Sequence, residues 1–140
     1  EAADRVFRSG IPLTAVGLDV TRQVRLDQNT LDCWIQGSNS QARQKVREWT
    51  GHSLRFMQDL EGEASMPLHD PLAVLTALDP QLVQTQPMYV EVETAGETTR
   101  GMTLADRRPI LDKWKTKPNV HVCTQVQSRQ SLRRFLEGIP

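Results

Sequence analysis

The run from Ile11 to Val20, entered through Gly10, is nearly all apolar with Val and Ile prominent, and it constrains the fold more than any other segment. A strand that is wet on one face alternates apolar with polar residues. A continuous run suits a strand buried on both faces of a parallel sheet, which requires helices to cover it. Leu13 to Val16 are therefore predicted to be core, and Glu1 to Ser9 a helix stopped by Gly10. Asp19, where that strand would end, is either a turn-capping residue or a ligand, since open α/β sheets bind at the C-terminal ends of their strands.

The later segments support an α/β chain. Ala42, Val46, Trp49, Met57 and Leu60 recur at helical spacing with Ser53 in the remaining slot, and Ser38 with Gln41 reads as the capping box that starts this helix. Gly62 to Pro67 reads as a loop. Met88, Val90 and Val92 alternate with Tyr89, Glu91 and Glu93, and a second extended run after Ala95-Gly96 reaches Leu104, which predicts a hairpin with its acidic residues in water. Val120, Val122 and Val126 alternate with His121, Cys123 and Gln125 as another strand. A helix started by Ser128 follows, with Leu132, Phe135 and Leu136 inward and Arg129, Arg133 and Arg134 on its wet face.

A chain of 140 residues falls in the range of one domain, expected to span 1–140, and its 38% apolar and 24% charged content is ordinary globular composition. Seventeen basic and seventeen acidic side chains cancel, so no electrostatic footprint exists for a nucleic acid polymer. No stretch approaches the roughly 20 apolar residues of a membrane span. Cys33 and Cys123 are unpatterned and read as reduced, buried thiols. Nothing resembles a signal peptide, so the expected compartment is the cytoplasm. The chain opens at Glu1 without an initiator Met, which points to upstream sequence removed, processed or left out.

The segment Pro67-Leu68-His69-Asp70-Pro71-Leu72-Ala73-Val74 joins a proton donor near neutral pH to a hard oxygen ligand at the start of an apolar helix. Asp is also a preferred N-cap and Pro is favoured at the first helical position. Asp70-Pro71 is thus expected to start a helix running through Ala77, whatever chemistry His69 performs.

Four blocks together resemble the inosine-uridine preferring nucleoside hydrolase family. They are Glu1-Ala2-Ala3 leading to Ser9-Gly10-Ile11-Pro12-Leu13-Thr14-Ala15-Val16-Gly17-Leu18-Asp19-Val20-Thr21; the His69-Asp70-Pro71-Leu72-Ala73-Val74 block; Val90-Glu91-Val92-Glu93-Thr94 with Gly96-Glu97 and Thr99-Arg100-Gly101; and Pro118-Asn119-Val120 with a final Phe135-Leu136 helix. The resemblance implies the C-terminal part of an open, mostly parallel nucleoside-hydrolase-like sheet with flanking helices and a β-hairpin. It implies that His69 assists departure of the base and that Asp70 is one ligand of a calcium ion. In the family the C-terminal part of the helix that corresponds to the one ending near Leu60, with the loop after it, passes over the nucleobase pocket, often with tyrosines or histidines. This chain offers His52 and Phe56 there, either as base contacts or as a surface His and a core Phe.

The family's aspartate-rich opening motif, source of most calcium ligands and of the base for water, is absent here. Its Asn/Glu/Asn ribose-binding stretch is absent too. The resemblance therefore implies a partner in the missing N-terminal part of the enzyme, a small nucleoside as substrate, a homo-oligomer, and an isolated chain that is inactive. The competing expectation is a non-catalytic binding or oligomer-assembly domain that has kept the fold, and a weaker one is a structural fragment left by proteolysis.

Overall fold

The apolar run after Gly10 does not stay extended to Val20. Only Thr14–Ala15 form a strand, β1, and beyond Gly17 the chain turns into a single helical turn, α2 (Leu18–Thr21). The strand expected over the run from Ile11 to Val20 is corrected accordingly. A short apolar run has no period that separates strand from buried helix, and packing decided here: Val20 and Thr21 are both buried from α2.

The computed structural model describes residues 1–107 and 116–140. They form two units, one of Glu1–Gly17 with Thr85–Thr124 and the other of Leu18–Gln84 with Gln125–Pro140. The architecture is α/β with mixed strand pairing.

The first unit opens with α1 (Ala2–Phe7), which ends just ahead of Gly10, a glycine at φ +77°. A three-stranded sheet has the order β1-β7-β4, where β4 is Val83–Met88 and β7 is Val120–Val126. β1 and β7 run parallel, with Thr14 opposite His121 and Ala15 opposite Val122. The predicted hairpin is present as β5 (Val90–Val92) and β6 (Thr103–Ala105), antiparallel with Val90 opposite Ala105. Val90 and Val92 are buried and Glu91 exposed, as the alternation required. Glu93 departs from the solvated role expected of it. Its carboxylate accepts the N–H groups of Ala95 at 2.7 Å and Gly96 at 3.0 Å, and these bonds hold its pKa below the usual carboxylate range.

Met88, Val90 and Val120 make the core of this unit, with Phe7, Leu13, Ala15 and Val122 packed on it. The Asn119 amide stitches that core together, accepting Val90 N–H at 2.8 Å while donating to the carbonyls of Val90 at 2.9 Å and Phe7 at 3.1 Å.

The second unit contains elements the sequence did not announce. β2 (Arg25–Asp27) pairs antiparallel with β3 (Ser65–Pro67), which lies where a loop was expected, and α3 (Gln28–Ile35) follows β2 directly. Asp27 is the N-cap of α3. α4 (Gln41–Glu61) has the predicted extent, but its cap is Ser40, whose Oγ accepts Arg43 N–H, and the expected Ser38 instead accepts the N–H of Ser40. α4 is rotated from the predicted face without leaving it: Ala42, Val46, Ser53 and Met57 are half-buried, but Leu54 is the buried residue, and Trp49 is 69% exposed and Leu60 65%. A 21-residue helix drawn from periodicity alone leaves its rotation open, and the tertiary partners set it.

Gly62 ends α4 at φ +79°, a left-handed cap that favours glycine. After β3 come α5 (His69–Leu78), a 3-10 turn at Pro80–Leu82 and finally α6 (Ser128–Glu137), which packs against α5. Arg129, Arg133 and Arg134 are exposed as expected, although the most buried residue of α6 is Ser131. Val20, Val24, Leu26, Leu31, Leu54, Leu68, Leu72 and Leu82 are among the buried apolar side chains of this unit. No helix among the described residues is long and apolar enough to cross a membrane.

Candidate functional site

The site is set by how the chain enters α5. Beyond the paired residues of β2 and β3, the Leu68 N–H donates to the Val24 carbonyl at 2.8 Å, and the Leu68 side chain is buried. Leu68, Leu72 and Thr76 then recur every four residues as the inward stripe of α5, with Leu72 fully buried. His69 and Asp70, next in sequence to the first anchor, have their direction fixed by it.

This entry corrects one expectation. Leu68 is the N-cap and α5 begins at His69, so Asp70 lies inside the first turn and does not cap the helix. Burial of Leu68 and its bond to Val24 start the helix earlier than the Asp-Pro pair would. The Asp70 carboxylate is exposed at the positive end of the helix dipole, a favourable place for negative charge.

His69 is half-buried, and its Nδ1 lies 2.7 Å from the hydroxyl oxygen of Thr21, a residue only 2% exposed. The sequence brought Thr21 into view only as the last residue of a family block. No local pattern assigned it a contact with His69. Asp19 is an exposed residue in the first turn of α2. His52 and Phe56 lie one turn apart on α4, so they share a face, and both are exposed; the alternative of a core Phe is therefore corrected. Among the described residues no hydrogen bond or ion pair joins them to His69 or Asp70.

Asp70 has the chemistry of a calcium ligand, a hard oxygen donor open to solvent. Among the described residues, however, no three His, Cys, Asp or Glu side chains converge into a metal site, so the donor set does not close within them. A hollow of 640 Å³ in the first unit, edged by Arg8, Tyr89, Glu91, Lys117 and His121, includes neither His69 nor Asp70 in its lining. His121 is exposed strand surface, as expected. Of the two thiols Cys123 is buried, which pushes its pKa up, whereas Cys33 is exposed and corrects the expectation that both are hidden.

Residues 1–133 match the family described as inosine-uridine preferring nucleoside hydrolase. A pyrimidine-specific ribonucleoside hydrolase RihA of Shewanella baltica is 38% identical over 114 residues, covering 81% of this chain and 36% of that protein. The chain thus spans little more than a third of the curated relatives it matches. Among solved structures, a purine-preferring ribonucleoside hydrolase from Gardnerella vaginalis has a TM-score of 0.83 at 34% identity, over 97% of this chain and 42% of that one. A plant nucleoside hydrolase, at 24% identity and the same TM-score of 0.83 over 97% of this chain and 44% of that one, shares the fold.

Proposed function

The chain belongs to the inosine-uridine preferring nucleoside hydrolase family, and from that premise we propose that the intact protein hydrolyses the N-glycosidic bond of purine or pyrimidine ribonucleosides in the cytoplasm. This chain, its C-terminal portion, supplies the histidine that activates the leaving base and one calcium ligand. The observation that carries the proposal is the start of α5, where a half-buried imidazole tethered at Nδ1 stands beside an exposed carboxylate.

In the reaction, the bond between the anomeric carbon and the base nitrogen breaks with its electron pair on the base. The base takes a proton from His69, and the anomeric carbon takes the oxygen of water. The second proton of that water balances the one His69 gave. The transition state has oxocarbenium character, so the barrier depends on activating water and on making the base a better leaving group. His69 serves the second need, because an imidazole is both a competent acid and a competent base near neutral pH. Asp70 would be one of about 6 to 8 oxygens around a calcium ion, which when bound supplies an oriented water of lowered pKa. His52 and Phe56, on the open face of α4, are proposed to border the base.

The relatives divide by name between pyrimidine-specific and purine-preferring enzymes, which supports the ribonucleoside class as a whole. The missing N-terminal part is the required partner, in a homo-oligomer of the intact enzyme. The test is reconstitution. Calorimetry on the isolated 140 residues is expected to give no tight calcium binding, and assays no nucleosidase turnover. Adding the N-terminal part, as a fusion or a separate chain, is expected to restore both, and Asp70→Asn to remove both again. A reconstituted Asp70→Asn protein that hydrolyses nucleosides normally would overturn the metal role, and a reconstituted wild type with no turnover would favour a non-catalytic assembly domain.

A further inference from the structure

We infer that Thr21 is a positioning residue for His69, holding the imidazole by Nδ1 so that Nε2 is the nitrogen presented to the departing base. This rests on the proposed hydrolase chemistry and adds to it a residue and an atom. The separation is 2.7 Å, and the two residues lie 48 apart in sequence, so the contact is built by the tertiary fold of the second unit.

Both ends of the contact are held. Thr21 is 2% exposed at the end of α2, between buried Val20 and buried Val24 in the chain, and it has little room to swing away. His69 follows Leu68, whose backbone and side chain are both anchored. An imidazole carries two nitrogens with distinct roles, and a partner on one commits the other to the substrate. A hydroxyl is suited to this because it rotates to accept from Nδ1–H or to donate to bare Nδ1, so it fixes the direction of the ring without demanding one tautomer. Ring orientation matters because small misplacements of a reacting group cost large factors in rate.

The experiment compares Thr21→Val, Thr21→Ser, His69→Ala and the double variant Thr21→Val/His69→Ala in the intact enzyme. The substrates are inosine, whose base needs protonation, and nitrophenyl riboside, whose leaving group does not. Valine keeps the shape of the buried side chain and removes the hydroxyl; serine keeps the hydroxyl. Thr21→Val is expected to lower kcat on inosine by about tenfold, the scale of one well-placed hydrogen bond, with KM little changed and nitrophenyl riboside far less affected. Thr21→Ser is expected to recover most of that loss. In the double variant, removal of the hydroxyl should add nothing to the loss caused by His69→Ala, since Thr21 acts only through His69.

Equal losses from Val and Ser, equal losses on both substrates, or losses that multiply in the double variant would each make Thr21 a merely structural residue and overturn the inference. If His69→Ala spares nitrophenyl riboside while Thr21→Val is fully active, the inference alone fails. If His69→Ala itself slows both substrates equally, the acid role of His69 fails and the inference goes with it.

Discussion

Replacing Asp27 by alanine is expected to loosen the strand pair that feeds the site, in a way that depends on pH. Asp27 ends β2 and caps α3: one carboxylate oxygen accepts the Thr30 N–H at 2.8 Å and the other accepts the Thr30 hydroxyl at 2.7 Å. Loss of an Asp N-cap costs about 1 kcal/mol. The second bond, on a half-buried group still reached by solvent, adds only a few tenths after screening. The loss at pH 7 should therefore be roughly 1.5 kcal/mol.

The sign of the pH dependence follows from the same bonds. The Thr30 N–H first, and the Thr30 hydroxyl second, hold the Asp27 carboxyl below its ordinary range in the folded chain. A group with a depressed folded pKa contributes stability that is fully present above its unfolded value, about 3.9, and is lost as pH falls through the folded value. The gap between wild type and Asp27→Ala should thus be widest near neutrality and narrow below about pH 4. Asp27→Asn keeps an acceptor for Thr30 without the charge and should cost less than alanine, with little pH dependence from this site. Urea unfolding followed by far-ultraviolet circular dichroism, in steps from pH 7 to pH 3.5, measures both. An alanine penalty that is the same at both ends of the series, or an asparagine penalty as large as alanine's, would refute the assignment of the cap and its charge.

Other outcomes can be checked as directly. In the intact enzyme His69→Ala should slow inosine hydrolysis by about 100-fold or more, the usual range for loss of a general acid, and should slow nitrophenyl riboside far less, as read by steady-state kinetics on the two substrates. Leu72→Ala, in a fully buried position of the stripe that aims His69, should cost about 2 to 5 kcal/mol in urea unfolding. Under native conditions a maleimide should label exposed Cys33 and spare buried Cys123, with Cys123 labelled only after unfolding; mass spectrometry of the digested product separates the two.

How much of the fold is legible in the sequence differs from element to element, and the difference is physical. The β5–β6 hairpin, the strand from Val120, the extent of α4 and the helix beginning at Ser128 are legible because each is written in a period of a few residues along the chain. The resemblance placed His69 and Asp70 by the same kind of local block. Other features carry no such period. The run through Val20 suits a buried strand and a buried helical turn equally, and it was the packing of Val20 and Thr21 that chose the turn. The entry to α5 belongs to the bond between Leu68 and Val24, which overrode the preference of Asp70 for the cap. The rotation of α4, which buries Leu54 and leaves Trp49 and Phe56 in the open, came from its neighbours. The sequence by itself determined which residue types are available for chemistry and the local segments that bear them. Only the tertiary structure could bring the Thr21 hydroxyl to the His69 ring, because a hydrogen bond depends on distance in space and these two residues are 48 positions apart along the chain.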